Sequence, residues 1–554
     1  DLYRQGKISR REFLRNACLL GLSFAGASAF LAACGPTPVP IATERPAEGP
    51  TTSEPQQHFM SSNSETPRRG GKMTIASSVP HLDHPARLIS IAGANQVRQV
   101  CENLTFTDKE NVTVPWLLDG WEPNEILDEW TLYLRQGIRF NNGEELTADD
   151  LIFNFEQWLS EDIGSPMLAL IGRYLSSDNV ERVSDYAVRL YLTSPQIALP
   201  EQLSHFSAMI VPKTFEGDLT RQPIGTGPFL LEEFVEAQWT LFKRRDDYWR
   251  AGNDLRPLPY LDELVYLDLG EDESAWMSAL ESGRVDSVFD PGCDPTQVAN
   301  DLPGIHAYSV PSANTFVIRM KVDKEPWIDN RVRLALKKCI DRQKMLNLSS
   351  FGHGVLAHDA HVAPVHPEYC AKPIPEYDPE GAQKLLEEAG LTPPLQVELW
   401  TQEACTEPEM ARVLKEAAAP GGFDLSLVTV PSAQYWDLWS EVPLGITHWA
   451  HHPLGTMMLS LAYAADDGGR PVQLNETQWV DDEFNDLLKQ AEATLDVEVR
   501  REMMCRLEEI QMERGSVGIA FWTDAWYIAN EKIRNIDAHP NGYDILLEAW
   551  RDGA

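Results

Sequence analysis

Three histidines and a tryptophan crowd into five positions of this chain, His448-Trp449-Ala450-His451-His452, with Pro453 closing the run. Imidazoles donate and accept hydrogen bonds and ligate metal ions, so the segment suits an anionic, a hydrogen-bonding or a metal-chelate solute. A second set, His353, His358, His361 and His366, falls in a loop-like stretch. Zinc or nickel would need several of these imidazoles to converge. The expectation is no bound metal, with His358 and His361 as the ligands if one were held. Nucleophilic chemistry has no matching pattern, since Gly-x-Ser-x-Gly and His-Glu-x-x-His are both absent. A secreted hydrolase is therefore the remote alternative. Gly-x-x-x-x-Gly-Lys-Ser/Thr is missing too, so no nucleotide is bound by that route and no cofactor is expected.

The front of the chain carries another kind of chemistry. Ser9-Arg10-Arg11-Glu12-Phe13-Leu14-Arg15 reads as a paired-arginine export address, and Leu31-Ala32-Ala33-Cys34 resembles the lipobox of bacterial lipoproteins. The apolar run from Ala17 to Ala33 is too short and too rich in Gly, Ala and Ser for a comfortable membrane span. Residues 1–33 are thus expected to be a twin-arginine lipoprotein signal, leaving Cys34 lipidated on the outer side of a bacterial cell membrane. Residues 34–69, rich in Pro, Thr, Ser and Glu, read as a flexible tether. The other cysteines show no C-x-x-C pair. Cys339 and Cys505 fall in helical patterns that suit buried thiols, and a Cys370–Cys405 bridge is open to an oxidising compartment.

With 554 residues the chain can build two or three cores, and 43% hydrophobic with 24% charged residues is ordinary for a globular protein. The formal charge of −37 repels nucleic acid and anionic headgroups, so no nucleic-acid partner is expected.

The elements that must position the histidines mix both periodicities. Trp130 to Arg135 and Tyr186 to Leu192 alternate as half-buried strands, and Asn142-Gly143 signals a turn. Thr147 to Asp150 makes a capping pattern for a helix carrying Leu151, Phe155 and Trp158; Asp329 and Asp378 can cap two more. Val397 to Trp400 is a short strand, and residues 481–513 read as two amphipathic helices. Strands and helices mixed throughout, without an internal repeat, argue for α/β domains.

Taken in order, several of these segments resemble the family 5 extracellular solute-binding proteins of bacterial ABC importers, the peptide/nickel class. The resemblance runs from about Gly70 to Trp550. Leu82-Asp83-His84-Pro85 is similar to the family's Leu-Asp-Pro element with one residue inserted. The first β-rich block is carried by Leu118-Asp119-Gly120-Trp121-Glu122 and by Arg139-Phe140-Asn141-Asn142-Gly143. Ile224-Gly225-Thr226-Gly227-Pro228-Phe229 with Asp247-Tyr248-Trp249 is the most specific piece; Asn330 to Leu336 and Ile340-Asp341-Arg342 continue the series. In the Gly-Thr-Gly-Pro turn the glycines are expected to supply unusual backbone angles and Pro228 to fix the start of the next strand.

The resemblance implies a type II, cluster C-like periplasmic-binding-protein fold, α/β with two lobes and an extra β-rich subdomain in the first. Lobe 1 would comprise 70–305 and 520–554, with the subdomain at about 104–210, and lobe 2 would comprise 306–519. Hinge closure would trap a peptide or peptide-like solute for delivery to ABC transporter permease subunits, without catalysis. By the same resemblance the ligand lies against residues 445–453, with Trp449 lining the cleft, His448, His451 and His452 beside it, and Trp436 and Trp439 upstream as further candidates. Leu82 and Asp83 are carried over with the early element. Peptide-binding members hold an aspartate three residues after that tryptophan to pair with the α-ammonium of the peptide. This chain has His452 there, which a neutral imidazole cannot match as an ionic partner. A metal-chelate, nickel-type receptor is the alternative.

Overall fold

Strands and helices are mixed along the chain, and the two longest strands decide how the rest are arranged. The computed structural model describes residues 66–553 except 271, 290–293 and 467; the export address, Cys34 and most of the tether lie outside the described residues. Ile305–Met320 and Val517–Asn530 pair antiparallel in the middle of a sheet of 11 strands. To one side the sheet continues through Leu444–Trp449, Leu395–Gln402 and Phe423–Val430. To the other it runs through Ser287–Val288, Lys72–Ala76, Glu263–Leu267, Trp239–Arg244 and Phe229–Val235. The parallel neighbours 395–402 and 423–430 are joined by the crossover helix Thr406–Ala418.

Apolar side chains collect into separate cores on either side of the crossing pair. One lobe is built on Met73, Ile75, Phe242 and Leu264, and on a second cluster of Trp130, Phe155, Trp158 and Leu190. The latter fills a four-stranded antiparallel sheet, in the order Leu118–Pro123, Glu129–Leu134, Ala187–Tyr191, Val180–Ser184, covered by helix Ala148–Leu159. The other lobe packs around Leu336, Leu414 and Ile446 on one sheet face and Phe484, Leu507 and Trp522 on the other. Among the described residues no helix is long and apolar enough to cross a membrane.

Local signals place the helices as expected. The Thr147 N–H donates to Asp150 Oδ2 at 2.9 Å, Asp329 Oδ1 accepts from Arg331 N at 2.8 Å, and Asp378 Oδ1 accepts from Gly381 N at 2.8 Å. Two expectations are corrected. Gly225 and Gly227 are not among the glycines with positive φ. Their need is closeness: a Cβ on Gly225 would stand 2.0 Å from Val100 O, and one on Gly227 2.6 Å from it. Cys370 does not pair with Cys405; it is bonded to Cys505, which is therefore no buried thiol, while Cys405 is disulfide-bonded too. Cys339 is a free, buried thiol, as its helical position suggests.

Candidate functional site

The histidines differ in how many of their ring nitrogens are engaged. His451 is engaged. The crossing strands lose register between Pro311 and Asn314, which strands the N–H of Ala313 outside the ladder. His451 Nδ1 accepts that N–H at 3.0 Å, and the His451 N–H donates to Asn314 Oδ1 at 2.7 Å. With Nδ1 accepting, Nε2 carries the proton and donates to Asn111 Oδ1 at 3.0 Å. Asn111 sits in a turn of the other lobe at φ 62°, a conformation asparagine tolerates. Its Nδ2 donates to Pro453 O at 2.7 Å and Val365 O at 3.1 Å, so one side chain makes three bonds across the gap between lobes.

Other imidazoles follow the same pattern, Nδ1 accepting a nearby N–H and Nε2 donating further off. His366 takes Ala363 N and donates to His452 O at 3.0 Å; His539 takes Asn541 N and donates to Thr107 O at 2.9 Å. His361 Nδ1 lies 2.7 Å from Tyr463 Oη, and His358 Nε2 lies 2.7 Å from Glu508 Oε2. His353 faces Thr296. His358 and His361 therefore do not converge, and among the described residues no group of three His, Cys, Asp or Glu side chains could hold a metal ion.

Trp449 stands half-buried, its Nε1 donating to Glu476 Oε1 at 2.9 Å, with the His361 ring edge-on at 5.8 Å. Glu476 Oε2 also accepts from Thr447 Oγ1 at 2.9 Å and pairs with Arg319 Nε at 2.8 Å, deep in the sheet. His448 points to the opposite sheet face from Trp449, against Phe316. Trp436 is largely exposed beside Trp439, whose carbonyl accepts from Arg319. Leu82 is core filling in the other lobe, and Asp83 pairs with Arg87 at 3.3 Å. The structure thus gathers residues 447–453 but does not bring Leu82 or Asp83 into a hydrogen-bonded group with them.

His358 Nδ1 and His361 Nε2 are buried without a hydrogen-bond partner among the described residues, and His448 and His452 have neither ring nitrogen engaged there. His452 has no side-chain hydrogen bond among the described residues and lines a cavity of about 230 Å³. That cavity lies between Leu168, Leu170, Arg173 and Gln202 on one lobe and Met457, Leu461 and Leu474 on the other. Arg173 is paired with Glu492, which also receives Gln196 Nε2 at 3.2 Å, another bridge between lobes. His205, near enough to His452 and Arg98 to feel both, has Nδ1 occupied by Ser207 N and Nε2 unengaged among the described residues. Sequence reasoning missed Arg98, Arg173, Gln202 and His205. Arg98 is a lone cation directly after the buried helix Ile91–Val97, and a single arginine has no spacing to read.

Burial lowers the pKa of five of these imidazoles, His448, His452 and His366 to about 4, His205 and His539 to about 3. Burial pushes Glu201 and Asp544 the other way, each to about 7.

A chain with these strands, lobes and cavity has known counterparts. The family model described as bacterial extracellular solute-binding proteins, family 5, matches residues 112–469. The chain belongs to that family. The di/tripeptide-binding protein 1 of Pseudomonas aeruginosa is 24% identical over 479 residues, covering 78% of this chain and 85% of that protein. The nickel-binding periplasmic protein of Escherichia coli is 25% identical over 378 residues, covering 63% and 68%. Among solved structures, the ABC transporter-associated periplasmic binding protein DppA of Helicobacter pylori, in complex with a peptide, superposes with a TM-score of 0.74 at 19% identity, covering 88% of this chain and 99% of that one. The fold is the two-lobe α/β periplasmic-binding-protein fold of family 5. Members of this family are periplasmic or extracellular solute-binding proteins, not enzymes.

The depressed imidazoles set a pH dependence. Their unfolded pKa is near 6.5; between that value and about 4 the unfolded chain takes up protons that the folded one refuses. The stability they confer is complete above about pH 6.5 and is lost as pH falls through the window. Glu201 and Asp544 act in the opposite sense, contributing at low pH and losing it as pH rises toward 7. His452→Asn removes one idle imidazole without breaking a side-chain hydrogen bond. Urea unfolding of this variant between pH 6.5 and 4.5 is expected to be flatter than wild type by up to about 1.4 kcal/mol per pH unit. Identical slopes would show that His452 titrates normally in the folded protein.

Proposed function

We propose that this protein is the extracytoplasmic receptor of an ABC importer, which captures a peptide or peptide-like solute between two lobes and hands it unaltered to the permease subunits. The lobes would be 70–305 with 520–554, and 306–519. Export through the paired-arginine address and acylation of Cys34 would hold the receptor at the outer face of the membrane. The observation that carries the reading is the cavity of about 230 Å³ between the lobes, lined by an imidazole with no protein partner. Trp449, three residues before His452 though outside the lining of that cavity, would add an aromatic wall suited to varied side chains. His448, His451 and His452 are the other candidate contacts of that segment, although His451 has both ring nitrogens engaged within the protein.

Native mass spectrometry of the protein as purified tests it. A small molecule retained by the folded protein, released on unfolding and raising the melting temperature when added back, is the expected result. A folded protein that neither carries nor binds any member of a broad solute panel would overturn it. Closure adds a second check. Asn111→Gly keeps the left-handed backbone and deletes three hydrogen bonds between lobes. Affinity is expected to fall about 10-fold, with more open molecules in small-angle scattering. Unchanged scattering and affinity would remove Asn111 from the closing device.

The idle imidazoles also suit a metal chelate that brings its own carboxylates. Titration with nickel, with and without free histidine, separates the two readings; heat only when both are present marks the chelate.

A further inference from the structure

We propose that the cavity between the lobes receives an uncharged part of the solute, an apolar side chain beside an acylated amine, and turns a free ammonium away. The assignment rests on the solute-receptor reading and narrows its ligand. The walls set the body of the guest. Leu168 and Leu170 of one lobe, with Met457, Leu461 and Leu474 of the other, line a space of about 230 Å³. An apolar cavity of about 150 Å³ holds a benzene ring. This one therefore has room for a side chain the size of leucine or phenylalanine and for one amide besides. Enclosing that side chain between apolar walls is the favourable part of binding.

The polar lining excludes charge. Among the described residues that line the cavity there is no carboxylate, and the one formal cation is Arg173. Arg173 pairs with Glu492, whose Oε1 also receives Gln196 Nε2 at 3.2 Å and the Ser460 hydroxyl. Both Arg173 and Ser460 are thus committed to a carboxylate that already holds three donors. Gln202 is committed too, its Oε1 accepting from Tyr174 Oη and its Nε2 donating to Leu170 O at 3.4 Å. What is left is the ring of His452, kept neutral because burial, and less strongly His366, depress its pKa to about 4. A neutral imidazole presents one N–H and one bare nitrogen, the complement of the C=O and N–H of a secondary amide. An ammonium brought here would lose its water and meet no anion able to replace it. Acylating that amine removes the charge and keeps an N–H.

The test uses the full chain, stripped of bound solute by unfolding and refolding. Isothermal titration is run with leucyl-leucine and leucyl-phenylalanine, each with a free and with an acetylated amino terminus, alongside acetylated aspartyl-aspartate and neutral sugars. The acetylated apolar dipeptides are expected to bind about 30-fold more tightly than the free amines. His452→Asp puts an anion into the cavity and is expected to reverse that order. The comparison within wild type stands whether or not this variant folds. Free amines bound as tightly as their acetylated forms would overturn the assignment while leaving the receptor standing. Sugars or the acidic peptide bound in preference to the apolar ones would do the same. An unchanged order in folded His452→Asp would place the amine elsewhere and equally overturn it. Wild-type protein that binds nothing in the panel counts against the receptor reading itself, and the assignment falls with it.

Discussion

Glu476→Ala is expected to be among the most damaging single changes in this protein, costing about 3–5 kcal/mol of stability. Its carboxylate holds Arg319 at 2.8 Å, Thr447 Oγ1 at 2.9 Å and Trp449 Nε1 at 2.9 Å, with both Arg319 and Glu476 almost wholly buried. Removing the acid strands a guanidinium in the sheet, and that desolvated charge is the main cost. The remaining bonds of Arg319, to Thr447 Oγ1 and to the carbonyls of Val442 and Trp439, only partly offset it. The same change frees the indole of Trp449, so solute affinity should fall even where the protein still folds. Chemical denaturation reads the first effect and titration the second. A loss under about 1 kcal/mol would mean the pair is no better than a surface ion pair.

Breaking the Cys370–Cys505 bond should come close to that loss. The bond closes a loop of 135 residues, and chain entropy puts the value of such a constraint at about 4–5 kcal/mol. It also ties the 357–378 segment, which carries His358, His361 and His366, to helix Val497–Arg514. Around it, Cys370 N donates to Glu508 Oε1 at 3.0 Å and Lys372 pairs with Glu509 at 2.7 Å. Cys505→Ser is therefore expected to lower the melting temperature and loosen proteolytic protection of residues 357–378 first. Equal protection in variant and wild type would show that hydrogen bonds alone fix the segment.

What was legible in the residues follows from range. Caps such as Asp329, Asp378 and the Thr147–Asp150 pair act within three positions, and those helices begin where expected. The ordered family motifs gave the two-lobe fold because each marks a local turn or strand. Partners far apart in the chain were not readable. Cys370 chose Cys505 over the nearer Cys405 because helix Val497–Arg514 packs under it, a fact no spacing contains. The histidine segment was recognisable by type, yet His451 has its role decided by Ala313 and Asn111, over a hundred positions away. Arg98 escaped notice because a single arginine among Asn95, Gln96, Val97 and Gln99 has no spacing to read; only the fold shows what it lacks.

The two crossing strands join the halves by a hydrogen-bonded ribbon that loses register twice, between Pro311 and Asn314 and between Thr315 and Val317, and the first break is patched by His451. A ribbon of this kind resists sliding and yields by flexing, and it flexes most easily where a rung is missing. In the receptor proposed above, the swing of one half against the other would be geared to residues 311–317. The patch at that pivot is the same imidazole that reaches Asn111 across the gap. Pivot and latch share one side chain, so a change at Ala313 should alter how firmly the jaws hold, at a distance from anything the cargo touches.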